Sequence, residues 1–373
     1  MTEESSTTSC LSVVMTTKSN NYVQTTGGNS GMLSSLGGKQ VYLEWTLIFI
    51  GVAGVAGNAL ILYALVASKQ HKKHVLIVNQ NVLDLFSSFF LVVTYAVYLC
   101  NIHLTGVLGY WLCFAILSEN IVWWGTNGSM VNLAIITIDR YLKVVRPAQS
   151  RKLLRPWVIH SAMAFAWFVG IGYNIFIAFY TARVTDGVCY TGEIFDSYAA
   201  AMVHAILYVF LSYFIMLAIF IFCYGRILAA IRRQASVMAS HSTSGSSTAQ
   251  TRSQQIQTNV IKTMILVSAF YAIAWLPYNV YYSLASTGLV PTLNFYDNAY
   301  YVVSFVAFFY TSANPFIYAT KFNPVRKILV KMIPCKKNCN QPIDARAGSR
   351  GNRIDAIAPV PTSNINVIDK INK

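Results

Sequence analysis

The residues with the clearest chemistry in this sequence lie along one long apolar stretch. Between Cys113 and Asp139 the sole ionisable carboxylate is Glu119, and the triplet Asp139-Arg140-Tyr141 stands where the apolar residues stop. An acid and an arginine at that point mark a membrane boundary that carries chemistry. The pattern indicates that this segment carries residues on which the protein's function depends.

A second polar group lies in apolar surroundings. Asp84 stands in the stretch NQNVLDLFSS, and a carboxylate at membrane depth is costly enough to indicate a function. Ser129 and Asn314 are polar residues at a similar depth, so the three side chains are predicted to converge on a cation. The alternative is a protonated Asp84 that is hydrogen-bonded within the protein.

The elements that position these residues follow from composition. The 373 residues are 55% hydrophobic and 11% charged, with a mean hydropathy of +0.48, whereas soluble proteins are about 25% charged. Crossing about 30 Å of hydrocarbon takes about 20 apolar residues in a helix, and the lengths favour helices over barrel strands. We therefore predict an all-α membrane protein, a seven-transmembrane-helix bundle spanning residues 41–67, 75–100, 110–138, 156–180, 198–224, 260–286 and 298–320.

Positive charge is distributed asymmetrically about these spans. All of the 28 Lys and Arg residues except Lys18, Lys39 and Arg183 follow the first, third, fifth or seventh span. The positive-inside rule makes that side cytoplasmic, which predicts an extracellular N-terminus in a multi-pass protein of the plasma membrane. The net charge of +15 would then face anionic lipid, and nothing indicates nucleic-acid binding.

Three regions are expected along the chain. Residues 1–40 are rich in Ser, Thr, Asn and Gly and should form a disordered extracellular tail. Residues 41–335 should form the bundle together with a short amphipathic cytoplasmic eighth helix, predicted from the basic stretch FNPVRKILVKMI, that lies along the membrane surface. Cys335 and Cys339 follow this helix as predicted palmitoylation sites, and residues 336–373 form a cytoplasmic tail.

Cysteines on the outer side are in an oxidising environment and can pair. A disulfide between Cys113, near the start of the third span, and Cys189, in the loop between the fourth and fifth spans, would tie that loop over the mouth of the bundle. Cys10 and Cys100 either form a second bond or remain free thiols, and the sequence leaves both open.

Prolines interrupt the last two spans. Pro277 follows Trp275 in the sixth span, and Pro315 lies between Asn314 and Tyr318 in the seventh. Proline removes a backbone hydrogen bond and kinks a helix. Two weakened helices beside a charged switch predict a protein that changes conformation.

The order of these motif residues resembles that of the rhodopsin-like (class A) G-protein-coupled receptors over about residues 41–335. The matching residues are Asn58 in the first span, Asp84 in the second, Cys113 and the 139–141 triplet in the third, Trp167 in the fourth, Tyr224 in the fifth, Trp275 and Pro277 in the sixth, and Asn314, Pro315 and Tyr318 in the seventh. The resemblance implies a receptor, not an enzyme. Its implied partners are a heterotrimeric G protein, arrestin and a receptor kinase.

The resemblance also implies roles for single residues. Those implied for switching and G-protein coupling are Asp139, Arg140, Tyr141, Tyr224, Asn314, Pro315 and Tyr318. Arg140, whose guanidinium keeps its proton, would pair with Asp139 at rest and reach Tyr224 when released. Gln257 occupies the place of an acid that clamps this arginine in some relatives, so the resting lock should be weak and basal activity measurable. No cofactor is implied except an allosteric sodium ion, with the ligands Asp84, Ser129 and Asn314.

The sequence departs from the family at two further points. The stretch from Cys113 to Arg140 is longer than usual, which predicts either a bulge at the top of the third span or an altered disulfide geometry. Met130, Tyr271 and Met216 replace the usual residues of the core connector that lies between ligand pocket and switch.

The ligand class depends on the outer half of the bundle. The seventh span has no lysine, which excludes a retinal Schiff base, and Val122 in the position of the aspartate of amine receptors disfavours a monoamine. The side chains predicted to face the pocket are Tyr95, Tyr98, Glu119, Trp123, Thr126, Asn127, His204, Tyr208, Trp275, Tyr278, Asn279, Tyr282, Tyr300 and Ser304. The alternative for many of the Tyr and Trp residues is an aromatic belt at the membrane interface.

Acidic residues predominate near the mouth, which would attract a cationic ligand. They are Glu44, Glu119, Asp186, Glu193, Asp196 and Asp297, opposed by Lys39 and Arg183. We therefore favour a neuropeptide-like ligand whose basic group is held by Glu119 or by the loop acids. The alternatives are a Glu119 that is merely solvated at the helix top, and a small non-peptide ligand such as a melatonin-like indole or a lipid.

Overall fold

The computed structural model describes residues 30–191, 197–240, 248–287 and 298–332. Within these ranges seven helices are long and apolar enough to cross a membrane, and each overlaps a predicted stretch. The predicted seven-helix bundle is therefore confirmed. Spans 1 to 7 are Val41–Ala67, Val75–Cys100, Gly106–Val145, Pro156–Thr181, Ala199–Gln234, Thr258–Ser286 and Asn298–Lys321.

Some helices extend beyond the membrane-spanning parts. The helix of span 1 is Ser30–Ala67 and so begins within the predicted tail, and that of span 6 is Thr248–Ser286. A short helix, Pro147–Leu153, follows span 3, and a further helix, Asn323–Met332, follows span 7. Residues 1–29 and 333–373, with Cys10, Cys335 and Cys339, lie outside the described residues, so palmitoylation and the membrane-surface position of the last helix stay predictions.

Span 3 is divided near its outer end. It consists of the helix Gly106–Leu112, a π-helical turn Cys113–Leu117, and the helix Asn120–Val145. Between the last two segments Glu119 has φ 56°, a left-handed conformation that a non-glycine residue adopts at a cost. The π turn and this break absorb the unusual length of the stretch, so the bulge expected from the sequence is present.

Span 5 has a similar interruption. The helix Tyr198–Val209 passes through a π-helical turn, Phe210–Phe214, into the helix Ile215–Ser240. A π turn leaves main-chain carbonyls without their usual helical partners. One such carbonyl, that of Ser212, accepts a hydrogen bond from the hydroxyl of Tyr271 in span 6 at 3.0 Å.

A β-hairpin lies between spans 4 and 5. Strands β1 (Ala182–Thr185) and β2 (Val188–Thr191) pair antiparallel, with Val184 opposite Cys189. The turn has positive φ at Asp186 and Gly187, and the Gly187 carbonyl accepts a hydrogen bond from the Leu104 amide at 2.8 Å. The hairpin is thereby fixed to the loop that precedes span 3.

Close packing of spans 3 and 4 depends on glycine. A Cβ at Gly170 would lie 2.5 Å from the main-chain oxygen of Trp124 and 3.0 Å from the nitrogen of Gly128. Small residues permit this approach of two backbones, which is how helices associate in lipid. The approach places Trp124 where its indole donates to the Trp167 carbonyl at 3.0 Å.

Candidate functional site

Four aromatic rings from three spans meet in the outer half of the bundle. The Trp123 ring centroid lies 5.3 Å from that of Tyr278, 5.4 Å from that of Phe308 and 6.0 Å from that of Trp275. Aromatic pairs prefer offset or edge-to-face geometries at these separations. We call these four residues the aromatic cluster. Trp123, Trp275 and Tyr278 were predicted, whereas Phe308 was not.

Ring contacts extend from the aromatic cluster toward spans 5 and 7. Tyr278 lies 6.4 Å from Tyr282 and 6.2 Å from Tyr300, measured between ring centroids, and Tyr282 lies 5.1 Å from Tyr208. Tyr278 and Tyr300 are buried. The alternative of an interfacial aromatic belt therefore does not describe these two residues.

Glu119 is enclosed beside the aromatic cluster. Its side chain is 2% exposed. One carboxylate oxygen accepts a hydrogen bond from the Tyr95 hydroxyl at 2.7 Å, and the other accepts one from the Trp123 indole N–H at 3.1 Å. Among the described residues no cation pairs with it. The alternative of a solvated Glu119 is wrong, because the break at the top of span 3 turns this residue inward.

The other predicted ligand residues have varied surroundings. The Tyr98 hydroxyl donates to the Leu117 carbonyl, and the Asn279 amide donates to the Trp275 carbonyl at 2.8 Å. Thr126 lies deeper, hydrogen-bonded to Ser87 of span 2 at 2.7 Å. Ser304 and Asn127 are buried. The hydrogen bonds of Tyr98, Asn279 and Thr126 go to separate groups and do not converge on one point.

The hairpin lies against the outer end of span 3. The predicted disulfide between Cys113 and Cys189 is present, with Cα atoms 5.4 Å apart. Val184 and Cys189 pack against a buried apolar cluster that includes Phe114 and Leu117. Cys100 is also disulfide-bonded, so it is not a free thiol. The bond at Cys113 ties β2 to the π turn of span 3.

No lysine lies near the aromatic cluster in the part of the chain that the structure describes. Described lysine side chains belong to the cytoplasmic loops and the cytoplasmic ends of spans, and the lysine of span 7 is its terminal residue, Lys321. Span 7 instead contributes Phe308 to the cluster. The cluster thus has no amine that could form a Schiff base.

Asp84 lies at mid-depth, fully buried, with the two residues predicted to accompany it. Ser129 donates to its Oδ1 at 2.5 Å, and the Asn314 amide donates to its Oδ2 at 3.0 Å. Gln80, which sequence reasoning missed, places its amide nitrogen 3.5 Å from both oxygens. The signal for Gln80 was its position one helical turn before Asp84 within an apolar span.

The core connector joins spans 3, 5 and 6. The Tyr271 hydroxyl lies 3.0 Å from the Met130 sulfur and donates to the Ser212 carbonyl. The Tyr213 hydroxyl donates to the Ala272 carbonyl at 2.7 Å. Replacement of the usual residues at Met130 and Tyr271 is therefore matched by the π turn of span 5, which supplies the acceptor. Met216 packs against the core.

The predicted switch lies at the cytoplasmic end of span 3. Asp139 is buried, and the Arg140 guanidinium Nε is 3.6 Å from its Oδ2. Lys143 is closer, with its Nζ 2.8 Å from Oδ1 and 2.9 Å from Oδ2. The predicted pair is present, but Lys143, missed although it stands at i+4 from Asp139, is the nearer partner. Asp139 is therefore shared between Arg140 and Lys143, whereas the weak resting lock expected from Gln257 stays a prediction.

The remaining switch residues lie apart from Arg140. The Tyr224 hydroxyl is 3.0 Å from the hydroxyls of both Thr137 and Ser268. Tyr318 is fully buried, and its hydroxyl makes no hydrogen bond within the described ranges. Tyr141 packs its ring against Phe222, with centroids 5.7 Å apart. In this arrangement Arg140 is paired with Asp139 and not with Tyr224, as the resting state requires.

A family comparison agrees with the motif order. The family model "7 transmembrane receptor (rhodopsin family)" matches residues 57–318. The match begins just before the motif asparagine of span 1 and ends at Tyr318, so it includes every span at least in part.

Individual relatives are named melanopsins. Melanopsin-A of Gadus morhua is 28% identical over 301 residues, covering 77% of this chain and 51% of its own. Melanopsin of Homo sapiens is 25% identical over 312 residues, covering 79% and 62%. The chain therefore spans only between half and two thirds of these relatives. Neither is named as a peptide receptor, so the predicted peptide subtype is unsupported.

The fold is similar to that of an opsin. The crystal structure of squid rhodopsin has a TM-score of 0.65 with 20% sequence identity, covering 82% of this chain and 88% of that chain. The similarity concerns the arrangement of the helices. It agrees with the seven spans described above.

Proposed function

This chain belongs to the rhodopsin family of seven-transmembrane receptors, and we propose that it couples a small non-peptide extracellular ligand to heterotrimeric G-protein activation. It is a multi-pass membrane protein, and the plasma membrane is the location that agrees with its relatives. Arrestin and a receptor kinase remain predicted partners. The ligand class is the part of the proposal that needs argument.

The enclosure of Glu119 carries the choice of a small ligand. The carboxylate is buried between Tyr95 and Trp123, beside rings that present an apolar surface. A buried polar group must exchange its hydrogen bonds rather than lose them. A ligand with an aromatic or apolar body and one cationic or N–H donor group can make that exchange from within the aromatic cluster.

The contacts of Glu119 and Trp123 also favour a ligand with a cationic group over a purely apolar lipid. Trp123 offers a ring face to a cation, worth about 0.5–2 kcal/mol when desolvated, and its indole N–H already donates to Glu119. A cationic group placed there would contact both a carboxylate and a ring. Pockets of this kind have mostly aromatic walls with few polar groups.

Light sensing is the second candidate, favoured by the names of the relatives. A retinal Schiff base needs a lysine, and the side chain that span 7 contributes to the aromatic cluster is Phe308. Light sensing would therefore require a chromophore held without a covalent bond. We rank it below a diffusible ligand for that reason.

The test measures how strongly the response to each ligand class depends on the Glu119 carboxylate. Cells expressing the receptor are screened for G-protein activation with aromatic amines, neutral isosteres of those amines, lipids and basic peptides. Glu119→Gln should weaken a cationic small ligand by about tenfold to a hundredfold, because a hydrogen bond to a charged group is worth about 1.5–3 kcal/mol. The neutral isostere should change little.

Asp186→Asn is the matched control, since it removes one negative charge from the exposed hairpin turn. If the acidic residues act only by a general electrostatic attraction at the mouth, both variants should lose the same potency for the cationic ligand. That result would contradict a direct role for Glu119. Activation by basic peptides alone would reject the small-ligand proposal. Activation by light after retinal is supplied would establish the second candidate instead.

A further inference from the structure

The Asp84 region contains a donor that the family resemblance does not account for. Gln80 is fully buried, and its amide nitrogen lies 3.5 Å from each oxygen of Asp84 while also donating to the Ser129 hydroxyl. The N–H group thus contacts the same oxygens that a cation at Asp84 would contact.

The orientation of the Gln80 amide is fixed from its other end. Its oxygen accepts a hydrogen bond from the Asn132 amide at 2.8 Å, and the same Asn132 nitrogen donates to the Leu76 carbonyl at 3.1 Å. A main-chain carbonyl can only accept. The nitrogen of Asn132 must therefore face this side, and the oxygen of Gln80 must face Asn132.

A chain of amides continues this order to span 4. The Asn132 oxygen accepts from the Asn79 amide at 2.9 Å, and the Asn79 oxygen accepts from the Trp167 indole N–H at 3.0 Å. An indole N–H can only donate. Amide orientations are often ambiguous, but here a donor-only group at one end and an acceptor-only group at Asn132 set one direction, which delivers an N–H to Asp84.

The third neighbour of Asp84 presents the same polarity. Asn314 directs its amide nitrogen to Asp84, while its oxygen has no partner among the described residues. Sodium and other hard cations need oxygen ligands. The side-chain amides of Gln80 and Asn314 both present N–H groups to Asp84, where a sodium ion would need oxygen atoms. This set of residues therefore does not fit a sodium ion unless both amides rotate. Rotation of Gln80 would break the bond to Asn132.

We propose that the Gln80 amide takes the place of the sodium ion at Asp84, so that an internal donor stabilises the resting arrangement and the receptor does not respond to sodium concentration. The amide supplies a partial positive charge to the carboxylate and links spans 2 and 3 to span 7 through Asp84. The inference concerns the ion site alone and does not depend on the ligand class.

The test measures thermal unfolding of the purified full-length receptor in lipid nanodiscs. Melting midpoints are compared in sodium chloride and in choline chloride at equal ionic strength. Wild type should melt at the same temperature in both salts. Gln80→Leu removes the donor and opens space beside Asp84, so this variant should melt at a higher temperature in sodium than in choline. Adding Asp84→Asn to it should abolish the difference.

Gln80→Glu is a second variant of nearly identical shape, which keeps an acceptor for Asn132 and offers an oxygen in place of the nitrogen. It should also gain a sodium-specific rise, and it keeps the test open if Gln80→Leu does not fold. A saturable sodium-specific rise in wild type that is lost in Asp84→Asn would overturn the proposal. The proposal would also be overturned if the melting temperatures of wild type and of both Gln80 variants were all independent of sodium.

Discussion

Lys143 is expected to hold the switch of this receptor partly open. In the resting arrangement its ammonium lies 2.8 Å and 2.9 Å from the two Asp139 oxygens, whereas the nearest Arg140 nitrogen is 3.6 Å away. Arg140 Nε is buried and lacks a hydrogen-bond partner among the described residues. Replacing Lys143 with Met should let Asp139 and Arg140 close to a full hydrogen bond.

The size of the effect follows from exposure. The Lys143 side chain is 38% exposed and that of Arg140 is 12% exposed. When Asp139 loses Lys143 and pairs fully with Arg140, the free-energy change should therefore be that of a partly exposed ion pair, about 0.5–1 kcal/mol. Lys143 would also neutralise Asp139 once Arg140 leaves it, so its loss disfavours the active state as well. Both effects have the same sign, and basal activity should fall about two- to fivefold.

The assay is ligand-independent nucleotide exchange on a panel of G proteins, normalised to receptor at the cell surface. Lys152→Met is the matched control, because Lys152 is exposed in the short helix Pro147–Leu153. Asp139→Asn should raise basal activity, and adding Lys143→Met to it should change nothing further. Basal activity that is unchanged or higher in Lys143→Met would refute the reasoning. A further fall in the double variant would indicate a direct G-protein contact instead.

Two further predictions concern stability. Gly170→Ala should destabilise the receptor by about 1–3 kcal/mol, because its Cβ would overlap the Trp124 main chain. Gly172→Ala is the matched control, since its Cβ would have nothing within 4 Å and should not change stability. Equal melting temperatures of the two variants would contradict the packing of spans 3 and 4. Burial lowers the pKa of His74, which packs edge-on against Phe322, from 6.5 to about 4. The unfolded chain therefore binds the extra proton first as pH falls, so stability is full above pH 6.5 and is lost toward pH 4, by on the order of 3 kcal/mol. His74→Phe should flatten that part of the pH profile of unfolding, and an unchanged profile would show that His74 is not the group responsible.

The spans and the switch were predictable because they depend on properties that a sequence displays directly. Apolar length sets the number of membrane helices, and an ordered set of motif residues identifies the bundle and places Asp84, Ser129 and Asn314 together. Their convergence was predictable because each of the three lies within an uninterrupted α-helical part of its span. Lys143 stands one helical turn after Asp139, a spacing at which opposite charges on a helix pair, so this contact was also predictable from the sequence.

The top of span 3 could not be predicted in the same way. A π turn adds a residue to one turn of helix and rotates every side chain that precedes it, so helical spacing counted back from Arg140 does not give the facing of Glu119. The left-handed backbone at Glu119 is an additional rotation that propensity does not encode. Burial of Glu119 against Tyr95 therefore emerged only from the packing of spans 2 and 3.

Three buried carboxylates of spans 2 and 3 suggest how the receptor rests without a ligand. Glu119, Asp84 and Asp139 are each buried, and each accepts a hydrogen bond from a donor of this chain. Buried carboxylates without partners would cost several kcal/mol, so these internal donors make the resting arrangement stable by itself. A ligand that takes over Glu119 must release Trp123, whose ring lies against Trp275. Activation can then begin as an exchange of one hydrogen bond. That exchange moves the Trp123 ring and, through its contact with Trp275, affects the core connector.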